Sequence, residues 1–371
     1  MHPVPLDEFP IHQTPLSLRY VGSTDRNFYD RAYFNAHDRT GDVFFVAGLG
    51  VYPNLGVTDA YGTVRRGDRQ WTIRCSDALG HDRLSPGVGP FRVEVQEPLQ
   101  RIRMICDTAE RGLGFDLAWE GSFPAVMEQH HVMRAGGGAA RAILDASRFA
   151  QVGTWSGTLS IDGDDLAVDP DVWVGTRDRS WGIRPVGEGE PAGRPADDPT
   201  AGLWWLYVPI RFDDFAVVVI VQEQPDGYRT LNDATRIWPD GRVEQLGWPE
   251  VDVAYRSGTR IPTGATIHLT ERGGKPLTLE VESLGYVALH VGAGYGGDPD
   301  WGHGQWRGPG WVESTVYDLN DPEIEARIPF GVIDHVGRAV LDGVEGWGLF
   351  EHGTMGRHEP SGFSGWESVA P

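Results

Sequence analysis

A chain of 371 residues with 50 glycines and 26 prolines carries too much backbone punctuation for long helices, yet its 14 tryptophans, 11 tyrosines and 14 phenylalanines supply a core that a disordered chain would lack. Its formal net charge of −21, spread along the chain, argues against a nucleic-acid partner or an acidic membrane surface. The two cysteines, Cys75 and Cys106, form no CxxC motif and no Cys/His cluster, so neither a disulfide framework nor a zinc site is called for.

The N-terminal run Met1-His2-Pro3-Val4-Pro5 lacks a basic region followed by an apolar stretch. The longest purely apolar segment, Phe215 to Val221, is far too short to span a bilayer. A cytoplasmic protein with no integral membrane segment is expected. Strand-like segments then recur along the chain. Asp42 to Val46 and Gln70 to Arg74 come first, and Phe115, Leu117 and Trp119 alternate with Asp116, Ala118 and Glu120. Later come Ala216 to Val221, Thr266 to Thr270 and Leu277 to Val281. The pairs Asp162-Gly163, Asp226-Gly227, Asp240-Gly241 and Asp342-Gly343 mark turns between strands. Only Gly138 to Ala150 and the region around Glu323 read as short helices. The predicted class is all-β and antiparallel.

The sharpest change of composition is Val186 to Ala201, rich in Pro, Gly and acidic residues, which reads as a linker or loop. It separates an expected N-terminal domain, residues 1–190, from a C-terminal one, residues 201–371. A weak repeat relates the two. Glu110-Arg111-Gly112 precedes an alternating strand ending at Glu120, and Glu271-Arg272-Gly273 precedes one ending at Glu282. Gly157 to Gly163 and Gly337 to Gly343 share the form G-x-x-x-x-D-G. Each is followed by a segment with an acid three residues after a glycine: Gly175 with Asp178, and Gly348 with Glu351.

Several kinds of site can be set aside. There is no G-x-x-x-x-G-K-[ST] phosphate loop, no H-E-x-x-H and no G-x-S-x-G. Gly292 to Gly297 is Gly-rich, but Asp298-Pro299-Asp300 follows it where a dinucleotide fold needs a helix. His130 and His131 point to opposite faces if they lie on a strand, so they cannot ligate one metal together; one of them, His131, is taken to face a pocket. Trp301 to Trp306 reads as a surface or rim loop. No cofactor and no metal are expected.

The densest chemistry lies in Trp173 to Pro185. On a strand, Trp173 and Arg177, and with them Arg179 and Trp181, share one side, while Asp178 and Ser180 share the other. Two readings stay open for this segment: an arginine–aspartate ladder closing a barrel end, or an acid held at the edge of an apolar surface for catalysis.

The order Phe149, Gln151, Gly157, Leu159, Asp162, Gly163, Gly175, Asp178, Trp181, Gly182 resembles the carotenoid 1,2-hydratase (hydroxyneurosporene synthase) superfamily. The resemblance is densest over residues 148–185 and extends loosely to Gly346 to His352. It implies two tandem lipocalin-like β-barrels or sandwiches and cofactor-free chemistry on an apolar, isoprenoid-like small molecule. It implies Asp178 as the acid that protonates an alkene. Where relatives carry a histidine after this acid the chain has Arg179, so no role of that histidine carries over. Burial can keep such an acid protonated at neutral pH, and aromatic faces can stabilise positive charge. Glu351 and His352 are the expected catalytic partners, with Trp173, Arg177, Trp181, Trp204, Trp347 and His131 as pocket walls. The expected activity is that of a hydratase or dehydratase. The alternatives are an isomerase or cyclase, and a lipid carrier without catalysis. A homodimer is compatible with all of them.

Overall fold

The computed structural model describes residues 3, 5–10, 22–134, 142–187 and 202–371. Most of the linker expected over 186–201 lies outside the described residues. Among those described, nearly all regular structure is antiparallel strand, with a single α-helix at Pro322–Arg327, where a helix was expected. The other expected helix is not one. Residues 138–141 lie outside the described set, and Ala142–Ile161 is a twenty-residue strand. Its Ala, Leu and Arg content favours helix locally, but it pairs along its length with five other strands. That tertiary pairing overrides the propensity.

The strands make two curled sheets, of fourteen and nine strands, which matches the predicted tandem lipocalin-like architecture. In each sheet the first strand of its half pairs with the last. Phe28–His37 lies against Val174–Ile183 in the first sheet, and Leu203–Arg211 lies against Val344–Met355 in the second. The repeated Asp-Gly pairs are hairpin turns: Asp162 and Gly163 have φ of 53° and 88°, and Asp342 and Gly343 have 50° and 82°. Both positions of such a turn need the left-handed region, which Asp and Gly tolerate. Gly175 and Gly348 also repeat a role. A β-carbon at either would collide with a carbonyl of the neighbouring first strand, Asn35 or Pro209 respectively.

Burial explains the long apolar runs. Val43–Tyr52 and Ala216–Glu223 are buried at every position. Phe45, Ala47 and Leu49 fill the interior of the first half, and Val217, Val219 and Val221 that of the second. Their alternates, Phe44 and Val46 with Val218 and Ile220, meet in a third cluster built from both sheets. Each such side chain contributes about 1.5–3 kcal/mol on burial, so the seam between the sheets is core. The chain's second half also covers an edge of the first sheet, because Trp311–Asp318 pairs with Arg69–Ala78. Among the described residues no helix is long and apolar enough to cross a membrane.

Candidate active site

A cavity of about 500 Å³ opens at the seam. Met133, Ile143, Leu144, Leu203, Val332 and Met355 give it apolar walls, and Trp205, Tyr207 and Tyr295 add aromatic ones. Asp178 and Glu351, the two acids of the repeat, both line it, one from each sheet. Their strand neighbours repeat as well: Tyr33 stands opposite Asp178 and Tyr207 opposite Glu351, and both tyrosines line the cavity. The pseudo-symmetry of the chain therefore delivers two Tyr–acid pairs to one space.

Behind Glu351 lies a third acid. Asp334 is directly opposite it in register and fully buried, and the two carboxyl groups interact directly. Tyr33 donates to Asp334 Oδ2 across the seam, and Asn35 Nδ2 donates to the Tyr33 hydroxyl at 3.2 Å. Asp334 Oδ1 meets no donor among the described residues. Burial, then the charge of Glu351, pushes the Asp334 carboxyl well above its ordinary range. Burial also raises Glu351, against the opposing pull of Arg148 and with further upward pressure from Asp178. The indole N–H of Trp205 donates to Glu351 Oε1. Two carboxyl groups this close and this dry cannot both ionise, so the pair holds a proton near neutrality.

Asp178 has a different environment. Burial raises its pKa, but Arg148, Arg31, Arg184 and Arg179 all pull it down. Arg148 lies over the rings of Trp205 and Tyr207 at 5.2 and 5.7 Å. It also sits 3.5 Å from Glu128, whose carboxyl is pushed by burial to about 8 despite that guanidinium. His131 stacks on Trp205 at 6.3 Å and contacts Gln222 Oε1 at 2.9 Å. Burial lowers its pKa to about 4, so it stands in the wall as neutral imidazole.

The other expected wall residues lie elsewhere, all but Trp347 for reasons of strand parity. Arg177 faces away from Asp178, where it binds both oxygens of Glu8 and the side chain of Gln151. Trp173 is in the interior of the first half, and Trp181 shares the parity of Arg177 and does not line the cavity. Trp204 points into the second half, against His352 and His358; its neighbour Trp205 takes the cavity. His352 likewise turns from Glu351 toward Tyr255, with 2.8 Å between Nε2 and the hydroxyl, and burial holds its pKa near 3. Trp347 lies under the Arg39 guanidinium, 5.2 Å from its ring. The segment read as a rim loop is partly core: Trp301 is 1% exposed, and His303 contacts Arg31.

Size alone would select another place. An open groove of about 1560 Å³ runs past Arg236, Trp238 and Trp248. However, Arg236 is already paired with Glu244 and Glu271, and the groove lacks the interacting acids found at the seam. Asp334, Tyr33, Arg148 and Trp205 were missed in the sequence. A signal for Asp334 was present: counting back from the Asp342-Gly343 turn places it opposite Glu351.

The chain belongs to a family of unknown function, DUF8625, whose model spans residues 4–364. No curated protein matches it in sequence. Among solved structures it is similar to kievitone hydratase from Nectria haematococca, at 14% identity over 88% of this chain and 89% of that one, with a TM-score of 0.52. It is also similar to CghA, at 12% identity over 89% of each chain and a TM-score of 0.50. At these identities the likeness is one of fold, and the chemistry has to be argued from the site.

Proposed function

We propose that the seam cavity is the active site of a cofactor-independent hydratase or dehydratase acting on a largely apolar alkene or alcohol. The observation that carries this reading is the proton-holding pair Asp334–Glu351 at the wall of an apolar cavity, facing a second acid, Asp178, on which four arginines work against burial to support the carboxylate. Glu351 is the proton donor: burial and the charge of Asp178 raise its pKa against Arg148, Trp205 and Asp334, and it faces the cavity with Asp334 behind it as the second holder of the pair's proton. Asp178 is the proton acceptor, with Arg148, Arg31 and Arg184 favouring its carboxylate. In hydration, Glu351 gives its proton to an alkene carbon. Water then adds at the neighbouring carbon, and Asp178 takes the proton that water loses. Dehydration is the same path reversed: Asp178, protonated, gives its proton to the departing hydroxyl, and Glu351, ionised, takes the adjacent C–H proton. Three guanidinium groups line the cavity and disfavour a free carbocation, so proton transfer and attack or loss of water are concerted. A cavity of this size suits a small molecule, within the range of about 300–1,000 Å³ usual for such sites.

The test is turnover of a panel of terpenoid alkenes and tertiary alcohols, with and without a terminal carboxylate, in deuterated water containing oxygen-18. A hydratase yields product carrying one carbon-bound deuterium and one heavy oxygen. Deuterium without oxygen would identify an isomerase or cyclase working with the same acid. The assignment is lost if Glu351→Gln and Asp178→Asn turn over like the native protein. Tight binding without turnover in all three proteins would identify a carrier.

A further inference from the structure

Two guanidinium groups of the cavity act on Asp178 only through their charge. Arg31, on the Phe28–His37 strand, is 5% exposed, and Arg184 follows the end of the Val174–Ile183 strand. Both line the cavity and both face the ring of Tyr295, at 5.1 and 6.0 Å. Tyr295 is in turn anchored by its hydroxyl to that of Tyr61, at 3.2 Å. Among the described residues neither arginine has a carboxylate within ion-pair distance, in contrast to Arg177 and Arg179, which have Glu8 and Asp30.

The hydrogen-bond supply to Arg31 is also incomplete. Its Nη2 donates to Nε2 of His303 at 3.1 Å, so the His303 proton sits on Nδ1, which faces Asp59 at 3.8 Å. Asp59 is itself occupied by the Tyr52 hydroxyl and the Gly304 N–H. Arg31 Nη1 is buried and has no partner among the described residues. A buried cationic N–H without an acceptor costs free energy that a correctly placed anion recovers. Planar guanidinium forks are suited to oxygen anions in which charge is shared between two oxygens.

We propose that Arg31 and Arg184 seat a single oxygen-based anion, a carboxylate or an ionised enol, at one end of an otherwise apolar ligand. The proposal rests on reading the seam cavity as a substrate site. It makes the substrate amphiphilic: an apolar body against Met133, Ile143, Leu144 and Met355, and an anionic head on the two arginines. The head would fix which carbon of the body meets Glu351.

Binding measured by calorimetry tests this without any turnover. The probes are decanoate, a long-chain 2-acyl-1,3-dione that is an enolate at neutral pH, and decanol. The native protein should bind one or both anions at least about tenfold more tightly than decanol. Decanoate in front identifies a carboxylate seat, and the dione alone an enolate seat. Arg31→Gln and Arg184→Gln should each abolish the preference and leave decanol affinity within about twofold. Arg184 is half-buried, so its variant keeps the test in force if Arg31→Gln fails to fold. Equal binding of all three probes, no binding of any, or a preference that survives in Arg184→Gln overturns the proposal. An anion preference alongside undiminished turnover in Glu351→Gln would leave this seat standing and remove the acid–base reading instead.

Discussion

Adjacent residues of one strand serve two buried acid clusters that behave in opposite ways. On the inner face of Val174–Ile183, Arg177 meets Glu8 at 2.6 and 2.8 Å, and Arg179 meets Asp30. Burial works to raise the Glu8 pKa, but Arg177, Arg179 and the Leu99 N–H outweigh it and hold it below the ordinary value. On the seam face, Asp178 looks toward Glu351 and Asp334, and burial wins for all three. The residue types and the degree of burial are similar. What differs is the number of cations in contact: one arginine for each acid on the inner face, against acids set beside acids at the seam. The first arrangement makes a structural ladder, the second a proton store. Under the proposed function, the two readings left open by the sequence of this segment describe its two faces.

The comparison is sharpest where a single charge is removed from each side. Glu351→Gln should lower turnover by a factor on the order of 10²–10⁴, the usual contribution of a general acid. Its unfolding midpoint in urea should stay level or rise, because an amide there ends a like-charge conflict. A large loss of stability with activity per folded molecule intact would place Glu351 with the structural acids. Glu8→Gln should do the reverse. It leaves Arg177 buried without an anion, at a cost of about 3–5 kcal/mol in unfolding free energy, while turnover per folded molecule stays near the native value.

Acidity separates the clusters next. A carboxyl held below its ordinary pKa, such as Glu8, contributes stability that is present above that ordinary value and lost as pH falls through the lowered one. Glu128 has the opposite sign. Its pKa is about 8 in the folded state against an ordinary 4.5, so the folded protein keeps a proton that the unfolded chain releases. Stability therefore falls as pH rises between those values. The native protein should lose about 5 kcal/mol across that window, and Glu128→Gln should flatten the slope. An unchanged slope in the variant would show that Glu128 ionises as freely in the fold as outside it.

Much of this was legible in the sequence because strands alternate and turns have few solutions. The Asp-Gly turns follow from turn chemistry and the shared side of Asp178 and Ser180 from periodicity, while the internal repeat pairs Asp178 with Glu351. Parity also shows why the wall residues went astray: Arg177 and His352 were chosen beside the acids in sequence, and neighbours on a strand face opposite ways. Trp204 was taken where Trp205, two residues before Tyr207, shares the seam face. Tyr33 and Arg148 belong to strands that come together only through sheet order, which no local pattern records, whereas Asp334 shares a hairpin with Glu351. The Ala142–Ile161 strand was hidden by its composition, since the pairing that makes it a strand is entirely non-local.

The smallest effect probes how finely the proton store is tuned. The Trp205 indole donates to Glu351 and so favours its ionised form, opposing burial. Trp205→Phe keeps a ring for His131 and Arg148 to stack on and removes only the donor. A net hydrogen bond of this kind contributes about 0.5–1.5 kcal/mol, so the Glu351 pKa should rise by up to about one unit. The activity limb that reports loss of the Glu351 proton should then move to higher pH by the same amount. The plateau rate should fall a few-fold, since a weaker acid transfers its proton less readily. A limb that stays in place while KM rises would mean that Trp205 acts on the ligand and leaves the acid untouched. Burial and the neighbouring charged groups would then set the proton held at the seam without Trp205.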